Sequence, residues 1–172
     1  MRVSGRTGAI AWWTGRARQL WRHLTGRVTA ADRARLAHWL TPAQQRLFAS
    51  MHRADQRHGL DVVELLRAAG HDDPELLLAG LFHDAAKGPG VRARHRVAWS
   101  LVERHGERLE RLFGRVHGFA NAFDRLRHHA DRSADLALAA GCSQRTAELI
   151  RYQAVPVDPV GGEALRLADE AS

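Results

Sequence analysis

The stretch Leu76–Gly88, read as LLLAGLFHDAAKG, is apolar until it ends in an adjacent His83–Asp84 pair, with Lys87 one turn further on. A run this rich in Leu, Ala and Phe belongs in a core, where an imidazole beside a carboxylate is costly unless both are satisfied. A divalent metal ion satisfies both, because neutral His and ionised Asp are natural ligands. The alternative is a His–Asp hydrogen bond that closes a buried helix end. Lys87 is the only Lys among 26 basic residues, which singles out a compact ammonium next to the pair. At that position it would partner the negative end of the helix dipole.

These residues need helices to position them. Asp73 (or Asp72) as N-cap, Pro74 at the first helical position and Glu75 near the positive dipole end start one helix. Gly88, followed by Pro89 and Gly90, stops it, so the pair is expected in its last turn or so. A preceding helix over roughly 54–69 carries the stripe His58, Val62, Leu65/Leu66 and Ala69, at the spacing of one helical face. His58 then lies on the buried face, with Asp55 and Asp61 one turn to either side.

The rest of the chain fits an all-α fold. At 172 residues it is long enough for one domain with its own core, and it is rich in Ala, Leu and Arg with a single Tyr. One cysteine, Cys142, leaves no internal disulfide and fits the reducing cytoplasm; it reads as structural. No apolar run approaches the roughly 20 residues that span a bilayer. Residues 1–35 hold eight Arg against one acid, Asp32, so the net charge of +7 lies entirely there and the remainder is neutral. That segment, 1–35, reads as a basic, Trp-containing extension, helical from Trp12 to about Gly26, and 36–172 as the helical domain. Trp13 and Trp21 interleaved with Arg16, Arg18 and Arg22 either pack on the domain with the Arg side chains solvated, or contact an anionic membrane surface or nucleic acid.

Further helices are expected from Thr29 to Leu40, from Thr41-Pro42 to about His52, over 91–104, over about 130–140, over 144–153 after Ser143, and near 162–171. Between 107 and 123 a Gly-broken segment has Leu109, Leu112, Phe113 and Phe119 directed to a core. His71, His95, His105 and His117 sit among charges and are expected to be exposed, and His52 falls off the His58 face.

Taken in order, RHGLDVVELL, LLLAGLFHDAAKG and LRLADEAS resemble the HD superfamily of metal-dependent phosphohydrolases. The likeness lies in an ordered set: a His on a helix 25 residues before a His-Asp pair, an apolar run into the pair, and an Asp on the last helix. It covers roughly residue 57 to the C-terminus. The resemblance implies a compact single-domain bundle of about eight or more short helices. It also implies one divalent ion (Mn, Co, Fe, Ni or Mg) held by His58, His83, Asp84 and Asp169. Asp84 and Lys87 would then act in hydrolysis of a phosphoester, with Arg92 and Arg94 as further cations.

Binuclear members of that family use extra His ligands, and His129 resembles one of them, as a ligand of a second ion or a partner of the first set. The next such His would fall near LIRYQ, where this chain has Tyr152 and Gln153, which favours one metal. The Gly-Tyr-Pro element of cyclic dinucleotide phosphodiesterases is missing. Acidic residues do not follow the pair as in guanosine tetraphosphate hydrolases, and deoxynucleotide triphosphohydrolases are much longer. What remains resembles small stand-alone members acting on a nucleotide or another small phosphorylated metabolite. A metal-binding module with little turnover and a regulatory or partner-binding role is the alternative.

Overall fold

A computed structural model describes residues 28–172 apart from positions 89 and 92. The expected helix from Trp12 to about Gly26, with its Trp and Arg residues, lies outside the described residues, as do Arg92 and the side chain of His105. The described residues form ten helices and no strand. In chain order these are α1 (Ala30–Trp39), α2 (Pro42–Ser50), α3 (Arg53–Ala68), α4 (Pro74–Phe82) and α5 (Ala93–His105). They continue with α6 (Glu107–Gly114), α7 (Phe119–Arg127), α8 (His129–Ala139), α9 (Gln144–Arg151) and α10 (Gly161–Ala171). None is long and apolar enough to cross a membrane.

The helix starts follow local chemistry. Thr29 and Thr41 each form a capping box, with Asp32 and Gln44 respectively, so two orphan N–H groups are satisfied reciprocally at each start. Asp73 accepts from Glu75 N–H ahead of Pro74, and Ser143 accepts from Thr146 N–H. His52 caps α3 by accepting from Ala54 N–H at 3.3 Å. Position 35 lies inside α1, whose Leu36 is in the core and whose Asp32 is buried and bonded to Arg57. Residues 30–35 are thus structurally continuous with the helical body.

Three expectations are corrected. The helix expected to run to the stop at Gly88 ends at Phe82 instead: His83 is its C-cap and residues 83–87 form successive turns, which leaves the His83–Asp84 pair at the helix end. Leu112 is 58 % exposed rather than core-directed. His95 is buried, edge-on to Phe119 with ring centroids 4.7 Å apart.

Two cores result. The larger gathers Leu36, Phe48, Val62, Leu66, Leu81, Phe82, Ile150 and Leu165 with their neighbours, and so joins α1–α4 to α8–α10. The smaller, Val91, Ala98, Val102, Phe119, Phe123 and Leu126, holds α5–α7 together as a cap inserted between α4 and α8. In the larger core α3 and α4 approach backbone to backbone. A Cβ on Gly59 would stand 2.5 Å from the Leu81 carbonyl oxygen, and one on Gly80 would stand 2.9 Å from Leu66 Cδ1. Glycine at 59 is therefore what allows this backbone contact, Gly80 makes room for the Leu66 side chain beside it, and His58 is the residue next to Gly59.

Gly59→Ala should lower stability by about 1–3 kcal/mol through overpacking against immovable backbone. In urea titrations the midpoint is expected to fall with an unchanged slope; an unaltered midpoint would mean the two helices have room to separate.

Candidate metal centre

Six side chains from four elements meet beside this crossing. His58 comes from α3, His83, Asp84 and Lys87 from the turn after α4, His129 from the first position of α8, and Asp169 from the last turn of α10. The turn is tied down from two sides. Ala86 N–H donates to the buried Ser133 Oγ of α8 at 3.0 Å, and the Gln153 amide donates to the His83 carbonyl at 3.3 Å. Gly88 closes the turn at φ +68°, the left-handed conformation that glycine adopts without strain.

The imidazoles are oriented by what holds their far nitrogens. His83 Nδ1 lies 2.9 Å from the Gly80 carbonyl and His129 Nδ1 2.6 Å from the Leu126 carbonyl. A carbonyl only accepts, so both Nδ1 atoms carry the proton. The Ser172 hydroxyl donates to the Asp169 carbonyl at 2.9 Å, which leaves it to accept from His58 Nδ1, also at 2.9 Å. In its neutral form each of the three rings therefore turns an Nε2 lone pair inward.

The lone pairs converge on one another and on carboxylates. His58 Nε2 is 3.2 Å from His83 Nε2 and 2.8 Å from Asp169 Oδ1. His83 Nε2 is 3.4 Å from Asp169 Oδ1 and 3.6 Å from Asp84 Oδ1. One ligand atom from each of His58, His83 and Asp84 falls within 4.8 Å of the others, and Asp169 adjoins both His residues. Asp84 is 1 % exposed, yet its Oδ1 has no hydrogen-bond partner, while Oδ2 takes the Lys87 ammonium at 2.5 Å. An arrangement of facing acceptors around an orphaned carboxylate oxygen is repulsive unless a cation sits among them. The donor set of imidazole and carboxylate fits a divalent transition metal or Mg.

The electrostatics agree. Burial opposes charging of His83, but the Asp84 and Asp169 carboxylates outweigh it and push its pKa up to about 9. Burial also favours protonated Asp84, yet Lys87 and the surrounding imidazoles hold it far below the carboxylate range. His129, pushed down to about 4 by burial and by Lys87, is neutral at pH 7. Its Nε2 faces Asp84 Oδ1 at 3.5 Å.

The structure thus brings His58, His83, Asp84, Lys87, His129 and Asp169 together. It does not bring in Arg94, which is exposed and bonded to His95. Tyr152 is half-exposed and Gln153 is spent on the His83 backbone. Cys142 is buried, accepts weakly from the Gln44 amide at 3.6 Å, and has its thiol pKa pushed up by burial, in keeping with a structural role. Two residues beside the centre were not singled out from sequence. Ser172 is one, three positions after Asp169. Asp55 is the other, fully buried, with Arg96 of the cap at 2.5 Å. Asp55 had a readable signal, since it lies one turn before His58 on the same face; Ser172 had none. Comparison with known proteins finds no family model, curated protein or solved structure that matches the chain.

Without a bound ion, the cation the cluster can share is a proton. The folded-state pKa of His83, about 9, exceeds its ordinary value of 6.5, so its stabilisation is complete below about pH 6.5 and is lost as pH rises through about 9. Urea midpoints should fall across that window. Asp169→Asn, which removes one of the carboxylates that raise the pKa, should move the fall to lower pH; a flat profile would show that no proton is shared in the cluster.

Proposed function

We propose that this chain is a metal-dependent phosphohydrolase acting on a nucleotide or another small phosphorylated metabolite, with one divalent ion held by His58, His83, Asp84 and Asp169. The observation that carries the reading is the convergence of three Nε2 lone pairs and an orphaned Asp84 oxygen, each ring locked from behind. Such locking orients ligands and raises their basicity, whereas a His–Asp hydrogen bond at a helix end would need only one of these imidazoles. The likeness of the three sequence segments to HD phosphohydrolases supports the choice of chemistry.

When bound, a divalent ion supplies Lewis-acid polarisation of a phosphoryl oxygen and lowers the pKa of a water. The side chains supply the rest. Lys87 holds Asp84 through Oδ2 and places a positive charge within the site, where it offsets charge on a phosphoryl group. His129 stays neutral and keeps its lone pair toward Asp84. It can therefore add a nitrogen ligand beside that oxygen, and with no further His near Tyr152 the site favours one ion.

Metal analysis of protein purified without chelator should give about one ion per chain, lost in His83→Ala and in Asp169→Ala. Ser172→Ala should keep the fold and the ligands but weaken metal affinity about tenfold, as removal of a ligand's supporting hydrogen bond does. Phosphorylated metabolites would then be screened with the metal found. A wild type that takes up no ion after Mn or Co addition would sink the enzyme reading.

A further inference from the structure

Most basic side chains described around the centre are already neutralised. Lys87 is paired with Asp84, Arg96 with Asp55, Arg127 with Glu110 and Arg132 with Asp124. Lys87 and Arg96 are each anchored to a buried carboxylate, so neither guanidinium nor ammonium can move out to meet a ligand at the surface without stranding that charge. Arg125 differs. It lies in the last turn of α7, is exposed, and makes no hydrogen bond or ion pair with any described residue.

Its position is nevertheless defined. The guanidinium lies over the Gly88–Gly90 turn, with Nη1 3.2 Å from where a Cβ of Gly88 would stand and Nε 3.9 Å from where one of Gly90 would stand. Neither residue has a side chain to hold it away. Gly88 directly follows Lys87, whose ammonium is bonded to Asp84. Leu126, the residue after Arg125, gives its carbonyl to His129 Nδ1, and His129 Nε2 faces Asp84. Arg125 thus lies against the residue that follows Lys87 and immediately precedes the residue whose carbonyl orients His129.

We infer that Arg125 is the residue that recognises the ligand's phosphate group. Its planar guanidinium fork matches phosphate oxygens in two-point hydrogen bonding, and its charge does not have to be withdrawn from a carboxylate first. The ligand class is a phosphomonoester or inorganic phosphate, which share that terminal group. This inference rests on the metal-centre reading for its context and adds to it the cap residue that selects the anion.

The test is calorimetric titration of inorganic phosphate into wild type, Arg125→Ala and Arg125→Lys, each metal-loaded and each chelator-treated, with metal content and melting temperature measured alongside. Arg125→Ala should retain metal content and melting temperature while its phosphate affinity falls about tenfold, with Arg125→Lys between the two. Equal affinity in wild type and Arg125→Ala, or no phosphate binding by wild type in either state, overturns the role. Phosphate binding that is lost in Arg125→Ala, by a wild type that takes up no ion when metal is added, keeps the role and removes the metal centre, so the two readings fail separately.

Discussion

The close crossing of α3 and α4 is the constraint on which the rest depends. Side chains of ordinary size hold helix axes about 8–10 Å apart. Here Gly59 has the Leu81 carbonyl where its Cβ would be, and Gly80 has Leu66 and Val62 beside it. Backbone contact of this kind fixes the rotation of each helix as well as their separation. Because His58 neighbours Gly59 and the His83 turn leaves α4 just past Leu81, the crossing sets their ring nitrogens against each other at 3.2 Å. The surrounding core of Val62, Val63, Leu66, Leu76 and Phe82 makes the arrangement hard to relax, since close-packed interiors transmit strain rather than absorb it.

Upon that crossing, the protein spends its remaining polar groups on orientation. Gly80 and Leu126 give carbonyls, Ser172 a hydroxyl, Ser133 an acceptor for the turn backbone and Gln153 a donor to His83. Each tie comes from a different element, so no single segment determines the centre, and each leaves the reactive face of its partner pointing inward. The rings are thereby held in a geometry whose mutual repulsion is relieved only by a cation, whether a shared proton or a metal ion. Sites built on regular elements with locked rotamers hold tighter geometry than sites on loops.

Much of this was legible in the sequence. Helix starts at Thr29, Thr41, Asp73 and Ser143 are written in side chains that satisfy their own first turns, so local chemistry suffices to place them. The stripe that buries His58 is a matter of periodicity, and the pair at 83–84 announces itself by following an apolar run. The misreadings share a cause, which is that tertiary partners decide them. Phe82 ends α4 because the next five residues are drawn into turns held by Ser133 and Gln153, and nothing local to LFHDAAKG reveals those partners. His95 looks solvated among arginines, yet the cap has its own small core and needs a ring against Phe119. Leu112 reads as core until the cap proves too small to bury it.

The Asp55–Arg96 pair explains how a cap with a separate core is kept in register with the body. A buried ion pair is a weak source of net stability, because desolvation of both charges offsets their attraction. It is a specific one, however: Asp55 is fully buried and Arg96 reaches it from α5, so any slide of the cap strands a charge away from water. Asp55 lies three residues before His58, and burial raises its pKa against the pull of Arg96 while Asp84 adds to the rise. The same charge network therefore spans the cap, Asp55, Lys87 and Asp84. At its other end α7 runs directly into α8 and His129. Held at both ends by residues that belong to the centre, the cap can present Arg125 at its rim in one position, while the remainder of its surface is free to vary without moving a ligand.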